Sequence, residues 1–120
     1  MTADPVDDDE TTRLVDRYRL LAEEWDEMQS EAKRANVLFD QHHEVAKRVR
    51  GVESGRRGIQ ALLTHPQAGV RLLAATDSLA WDPAAAVPVL EEIEAGPGLH
   101  AVTAKYTLKS YRDGKLNLDW

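Results

Sequence analysis

The chain has 120 residues, of which 42% are hydrophobic and 30% charged, a balance typical of one globular domain with one core. It has no cysteine, which excludes disulfide scaffolds, thiol nucleophiles and cysteine-based zinc sites. No apolar run approaches the roughly 18 residues that cross a bilayer, and residues 1–4 lack the basic and apolar parts of a signal peptide. We therefore expect a cytoplasmic protein with no membrane partner.

The formal net charge of −6 is unevenly distributed along the chain. Five of the 21 acidic residues lie within residues 4–10, and the rest of the chain is nearly neutral. We predict an acidic flexible arm over residues 1–9, a single helical domain over residues 10–114 and a tail over residues 115–120. An acidic arm suits a basic protein partner, although its carboxylates also favour the positive end of a following helix.

The first half of the chain shows helical periodicity without sustained alternation of apolar and polar residues. One apolar stripe predicts a helix over about residues 10–28. Its members are Leu14, Tyr18, Leu21, Trp25 and Met28. A second stripe predicts a helix over about residues 30–50. Its members are Ala35, Leu38, His42, Val45 and Val49. Gly51, Gly55 and Gly58 then interrupt the pattern, before a short helix that ends at His65 and Pro66.

The helix predicted over residues 67–81 has apolar side chains on two opposite sides, since successive helical residues point about 100° apart. One side comprises Val70, Leu73, Ala74 and Trp81. The other comprises Leu72, Ala75 and Leu79. A helix of this kind packs from both sides, so we expect it to be the most buried element.

Two further helices are predicted near the C-terminus. Asp82 is a natural N-cap and Pro83 a natural first residue of the next helix, inside which Pro88 predicts a bend. The inner face of this helix comprises Ala86, Val89, Leu90 and Ile93. The last helix, over about residues 99–113, again has two apolar sides. One comprises Leu99, Val102 and Tyr106, and the other Ala101, Ala104 and Leu108.

Six helices joined by short turns, with the later ones apolar on two sides, predict an all-α stack of antiparallel helical hairpins. The segments at 62–66, 70–71, 74–75 and 82–83, followed by Pro88, resemble a HEAT repeat. The segments at 36–40, 55–57, 65–66 and 70–72, in this order, are similar to a family of small bacterial HEAT-like proteins known only as a domain of unknown function. The resemblance covers about residues 32–83 and implies an all-helical fold without an established activity. Asp77 departs from it, since HEAT-like repeats usually have a small apolar residue there.

No catalytic or metal-binding constellation is predicted. His42 and His43, with Asp40 nearby, point about 100° apart on a helix and do not converge on one ion. We interpret His42, on the apolar stripe, as a hydrogen-bonded and partly buried histidine. The serines and glycines lack the patterns of a nucleophile elbow and of a phosphate-binding loop. We therefore predict a protein that is not an enzyme and that uses no cofactor or metal.

A protein-binding module is the favoured function, because helical stacks offer extended rigid surfaces. One version is an immunity protein that neutralises a basic, nuclease-like toxin encoded nearby. Acidic groups would speed the encounter, and an aromatic anchor in a free tail would slow dissociation. The predicted partner-binding residues are Asp77, Glu91, Glu92, Glu94, Asp119 and Trp120. Two alternatives remain open: Trp120 docks as a plug on the helical stack, and the three glutamates form only a solvated helix face.

Asp77 lies on an apolar side of its helix, between Leu73 and Trp81. A buried carboxylate without a partner is costly. We therefore expect Asp77 either to accept a hydrogen bond from a basic or backbone donor or to lie exposed in the groove of the stack.

The alternative function is nucleic-acid binding through a basic surface over residues 45–57. Its residues are Lys47, Arg48, Arg50, Arg56 and Arg57. A second basic stripe, of Lys105, Lys109 and Arg112, follows the last helix. Against this function, the domain has no net positive charge and no exposed aromatic pattern for stacking bases, and basic residues near a helix C-terminus also stabilise the helix itself.

Overall fold

The computed structural model describes residues 8–120, which form six α-helices and one 3₁₀ turn, with no strand among them. The helices are α1 (Asp8–Glu27), α2 (Ala32–Val49), α3 (Glu53–Ala61), α4 (Ala68–Ser78), α5 (Pro83–Glu94) and α6 (Leu99–Arg112), and the 3₁₀ turn (Leu62–Thr64) follows α3. The predicted all-α fold is confirmed. Within this part of the chain, no helix is both long and apolar enough to cross a membrane.

The predicted acidic arm falls mostly on residues 1–7, outside the described residues. Its last two positions belong to α1, which begins at Asp8. The arm and its boundary with the domain therefore stay a prediction.

The helix ends follow the local sequence. The Asp82 carboxylate accepts a hydrogen bond from the backbone N–H of Ala85 at 3.2 Å, and Pro83 is the first residue of α5, as predicted. His65, which precedes Pro66, adopts an extended conformation and ends the 3₁₀ turn. α4 ends at Ser78, earlier than predicted, because a turn leads from there to Asp82.

Two of the three glycines expected to interrupt the helical pattern lie inside α3. Gly55 and Gly58 are helical residues, and the expectation that they separate two helices is wrong. A Cβ atom at Gly55 would collide with the backbone carbonyl of Val49, and one at Gly58 with the side chain of Val15. Glycine lets α3 approach α2 and α1 this closely, and that packing outweighs its low helix propensity.

α4 lies between two apolar clusters. Val70, Leu73 and Ala74 pack in the first cluster, with residues of α1, α2 and α3. The opposite side of α4 packs in the second cluster, with residues of α5 and α6. Most residues of α4 are buried, which confirms that this helix packs from both sides.

Candidate functional site

A cavity of about 170 Å³ is lined by α2, by α4 and by the C-terminal tail over residues 115–120. Its apolar lining consists of Phe39, Leu73, Leu116, Leu118 and Trp120. Its polar lining consists of His42, His43, Arg50, Thr76, Asp77 and Asn117. The cavity therefore joins aromatic rings and titratable groups that are distant in the sequence.

The Asp77 carboxylate is held in the cavity wall by a phenol. The hydroxyl of Tyr18, a fully buried residue of α1, donates a hydrogen bond to Asp77 Oδ2 at 2.5 Å. Burial raises the pKa of Asp77 to about 6, while this hydrogen bond and the positive charge of Arg50 act in the opposite direction. Asp77 therefore does accept a hydrogen bond, but the expected basic or backbone donor is wrong, because α1 brings a tyrosine to it.

His42 is a buried histidine with an unused nitrogen. Its side chain is 3% exposed, and its ring centroid lies 4.0 Å from that of Tyr18. Among the described residues, its Nε2 atom has no hydrogen-bond partner. Burial and, to a lesser degree, the neighbouring His43 together lower the pKa of His42 to about 3, so the ring is neutral at pH 7. The expectation of a hydrogen-bonded histidine is wrong, because no donor or acceptor of the described residues reaches the buried Nε2 atom.

The C-terminal tail is docked on α2. The Trp120 indole stacks on the ring of His43, with centroids 3.6 Å apart and planes at 17°, and lies 6.0 Å from the ring of Phe39. Arg50 Nη2 donates a hydrogen bond to the backbone carbonyl of Asp119 at 3.2 Å. Two leucines of the tail pack against the second cluster. The expectation of a free tail is therefore wrong, since these contacts hold it on α2, but Trp120 lies on the surface rather than as a plug, because its side chain is 56% exposed.

The glutamates predicted to bind a partner lie on α5, apart from the cavity. Glu91 and Glu92 are exposed and Glu94 is half-buried. Glu91 Oε2 accepts a hydrogen bond from Arg112 Nη2 of α6 at 3.0 Å. The structure brings Asp77 and Trp120 together in the lining of one cavity and leaves the glutamates outside it. Partner binding by these residues stays a prediction.

α6 presents an uncovered apolar row. Leu99, Val102 and Tyr106 are 71%, 51% and 61% exposed, whereas Ala104 and Leu108 of the same helix are buried in the second cluster. The sequence analysis identified both apolar sides of this helix. Only one of them is packed, because α6 is the last helix and no later element of residues 8–120 covers its outer side.

The basic residues over 45–57 all have polar partners. Three form ion pairs, Lys47 with Glu44, Arg48 with Glu10 and Arg57 with Glu53, and two donate to backbone carbonyls, Arg50 to that of Asp119 and Arg56 to that of Arg50. The segment is therefore balanced locally by acidic and carbonyl groups.

The sequence analysis missed the cavity-lining residues His43, Arg50 and Asn117 as site residues, and it missed the buried Tyr18, which donates to Asp77 from behind the lining. Tyr18 was assigned only to an apolar stripe. The one signal in the sequence was Asp77, an acidic residue on an apolar side of a helix, which requires a hydrogen-bond donor nearby. Within residues 8–120, no group of three or more His, Asp or Glu side chains could hold a metal ion.

Comparison with known proteins places the chain in a family. The crystal structure of the protein RPA1889 from Rhodopseudomonas palustris CGA009 is similar, with a TM-score of 0.81 and 28% identity over 89% of this chain and 92% of that one. No curated protein matches the chain. A family model described as a domain of unknown function, DUF2019, matches residues 13–111. HEAT-like repeats stay a prediction. The chain therefore belongs to the DUF2019 family.

Proposed function

We propose that this protein is a non-enzymatic protein-binding module that docks an amphipathic helix of another protein on the outer face of α6. The exposed row of Leu99, Val102 and Tyr106 carries the proposal. Covering apolar side chains releases about 25 cal/mol for each Å² removed from water. Contiguous exposed apolar groups of this kind mark interaction surfaces in soluble proteins.

The position of α6 at the end of the helix order supports this proposal. α4 packs against α5, and α5 packs against α6. If these helices form a HEAT-like stack, α6 is its terminal layer, where a polar outer face is usual. An apolar row in that position suits a further helix, supplied by a partner, that covers α6 from outside.

The basic side chains of α6 indicate the charge of the partner. Lys105, Lys109 and Arg112 follow α6 at spacings of four and three residues, beside the apolar row. Lys109 pairs with Asp113 and Arg112 with Glu91, but both pairs are exposed and such pairs contribute little stability. Carboxylates of an incoming helix can replace these contacts. We therefore propose an apolar helix with acidic flanks as the partner, in preference to the basic toxin of the immunity hypothesis.

The nucleic-acid alternative finds less support in the geometry. The ion pairs of the basic side chains over residues 45–57 are as exposed as those of α6 and contribute as little stability, but the formal net charge of −6 opposes binding to a polyanion. Two adjacent features of α6, its apolar row and its basic stripe, instead suit one amphipathic partner.

The proposal is tested with two synthetic helical peptides that share one leucine face and carry either glutamates or lysines on its flanks. Binding of each is measured to the wild type, to Tyr106→Glu and to Leu20→Glu. Leu20 is a matched control, because it is an apolar residue of α1 that is 55% exposed. We expect the glutamate peptide to bind the wild type, to bind Tyr106→Glu about tenfold more weakly or worse, and to bind Leu20→Glu normally. Its association should slow as salt rises.

Other results would overturn the proposal. Absence of saturable peptide binding, or equal loss in both variants, contradicts a site on α6. A dimer in sedimentation that Tyr106→Glu converts to a monomer identifies this face as a self-association surface. Tighter binding of the lysine peptide would contradict an acidic partner and favour the basic partner of the immunity hypothesis. Salt-dependent binding of duplex DNA without peptide binding favours the nucleic-acid function.

A further inference from the structure

The cavity beneath the tail is large enough for one small organic molecule. Its volume is about 170 Å³. An apolar protein cavity of about 150 Å³ binds benzene. The cavity therefore has room for one six-membered ring with a small substituent.

The walls of the cavity favour a flat ligand. Phe39 and Trp120 contribute aromatic rings, with centroids 6.0 Å apart, and His43 lies stacked on Trp120. Aromatic rings prefer offset-stacked or edge-to-face contacts with one another. Leu73 adds an apolar surface from α4. A planar ring fits these walls better than a branched chain.

The polar groups of the cavity favour a ligand that has both a hydrogen-bond donor and a hydrogen-bond acceptor. The Asp77 carboxylate has two acceptor oxygens, of which Oδ2 binds Tyr18. The Arg50 guanidinium has five N–H donors, and its Nη2 atom binds the tail. His42 Nε2, in a side chain that is 3% exposed, has no partner among the described residues and donates or accepts according to the tautomer. This nitrogen is a buried polar group whose hydrogen-bonding capacity is unmet.

The charges of the cavity favour a neutral ligand. Asp77 and Arg50 have opposite charges and interact across the cavity lining. A cationic ligand would face Arg50 and an anionic ligand would face Asp77, each bringing a further charge into a partly desolvated site. A neutral ligand brings no further charge and still meets both groups.

We propose that this cavity binds a small neutral planar amide, whose N–H group donates to Asp77 and whose carbonyl oxygen accepts from Arg50. The same amide edge offers His42 Nε2 the partner that it lacks. This site is separate from the proposed docking face, since none of the exposed α6 row lines the cavity.

The chemical class is tested with three probes of nearly equal shape: neutral benzamide, cationic benzamidine and anionic benzoate. Each is titrated into the full chain at pH 7.5 while amide and indole resonances are followed by NMR. We expect saturable shifts with benzamide at Thr76, Asp77 and the Trp120 indole. We expect the two charged probes to bind about tenfold more weakly or worse.

Two variants locate the site. Asp77→Asn removes the charged acceptor and should weaken benzamide binding about tenfold or more. The matched control is Asp40→Asn, an exposed carboxylate of α2 outside the cavity lining, which should leave binding unchanged. Tighter binding of benzamidine or benzoate overturns the neutral class. Absence of saturable shifts with benzamide, or equal weakening by both substitutions, overturns the site, and the wild-type titration gives this result even if Asp77→Asn does not fold.

Discussion

At the scale of single residues, Asp77 is the carboxyl group whose ionisation acts most directly on the stability of the fold. Burial raises its pKa from 3.8 to about 6, so between these pH values the folded chain holds a proton that the unfolded chain has lost. The stabilisation that the folded chain gains from protonated Asp77 is therefore fully present below pH 3.8 and is lost as the pH rises through about 6. A rise from 3.8 to about 6 corresponds to about 3 kcal/mol.

We expect Asp77→Asn to raise the free energy of unfolding by about 1 to 3 kcal/mol at pH 8 and to change it little near pH 3.8. The asparagine side chain still accepts the Tyr18 hydrogen bond but carries no charge. Urea unfolding at the two pH values measures this difference. Asp40→Asn, an exposed carboxylate, should show no such pH-dependent gain, and an equal gain in both variants would contradict the role of burial.

Gly55 tests close helix packing at the same scale. An alanine at this position gains about 1 kcal/mol in helix propensity. Its Cβ atom, however, would collide with the backbone carbonyl of Val49, which cannot rotate away as a side chain does. We expect Gly55→Ala to lower the free energy of unfolding by about 1 to 3 kcal/mol. Gly51→Ala is the matched control in thermal unfolding, because its Cβ would make only an ordinary contact at 3.4 Å, and similar losses in both variants would refute the packing argument.

At the scale of elements, α4 is stabilised from two sides. Leu72 packs in the second cluster and Leu73 in the first. We expect Leu72→Ala and Leu73→Ala each to cost about 2 to 5 kcal/mol, the range for a truncated buried leucine. Denaturant unfolding measures the loss, with Leu20→Ala as an exposed control on α1. Losses under about 1 kcal/mol at both α4 positions would contradict two-sided packing.

The stacked ring of Trp120 is one of the contacts that hold the tail on α2. Trp120 covers His43, and burial is the main cause that lowers the pKa of this histidine. Trp120→Ala removes the covering ring but keeps the backbone hydrogen bond of residue 120 that raises the pKa of His43. We therefore expect it to raise this pKa towards its ordinary value and to cost about 0.5 to 1.5 kcal/mol of stability. NMR titration of the His43 ring measures the first effect. Trp120→Phe keeps an aromatic ring and should move the pKa less, whereas an unchanged His43 in Trp120→Ala would show that the tail does not dock.

At the scale of the whole molecule, two neighbouring groups oppose each other in the pH dependence of stability. Burial lowers the pKa of His42 from 6.5 to about 3, so its contribution is present above pH 6.5 and is lost as the pH falls towards 3. Asp77 acts in the opposite direction, since its contribution to stability grows as the pH falls from about 6 to 3.8. The contributions of Asp77 and His42 offset each other over this interval, while Glu23 and His43, whose pKa values are also lowered, lose stability as the pH falls.

Single variants separate the two contributions. His42→Phe keeps a planar ring in the apolar site and removes the titrating group. We expect this variant to gain stability over the wild type as the pH falls from 7 to 4, and Asp77→Asn to lose stability faster than the wild type over the same interval. Urea unfolding across this range measures both slopes. Parallel curves for the wild type and His42→Phe would show that His42 does not titrate in a buried site.

The sequence was sufficient for the local part of this architecture. Periodicity predicted the helices, Asp82 and Pro83 marked the start of α5, and the two apolar sides of α4 were assigned to the correct residues. These features depend on neighbours within about one helical turn, so spacing and residue type determine them. The prediction that the glycines of α3 interrupt a helix was wrong because it considered only local propensity. Their role is to allow close contact with α1 and α2, which lie outside α3 itself.

The candidate site was decided by tertiary structure. Asp77 was the one cavity residue whose need for a donor could be inferred, while its partner Tyr18 lies 59 positions away. The orphan nitrogen of His42, the docked tail and the uncovered row of α6 were equally beyond inference. Periodicity states which side chains share a helix face, and only the packing of distant segments decides which neighbour covers that face or whether it stays in water.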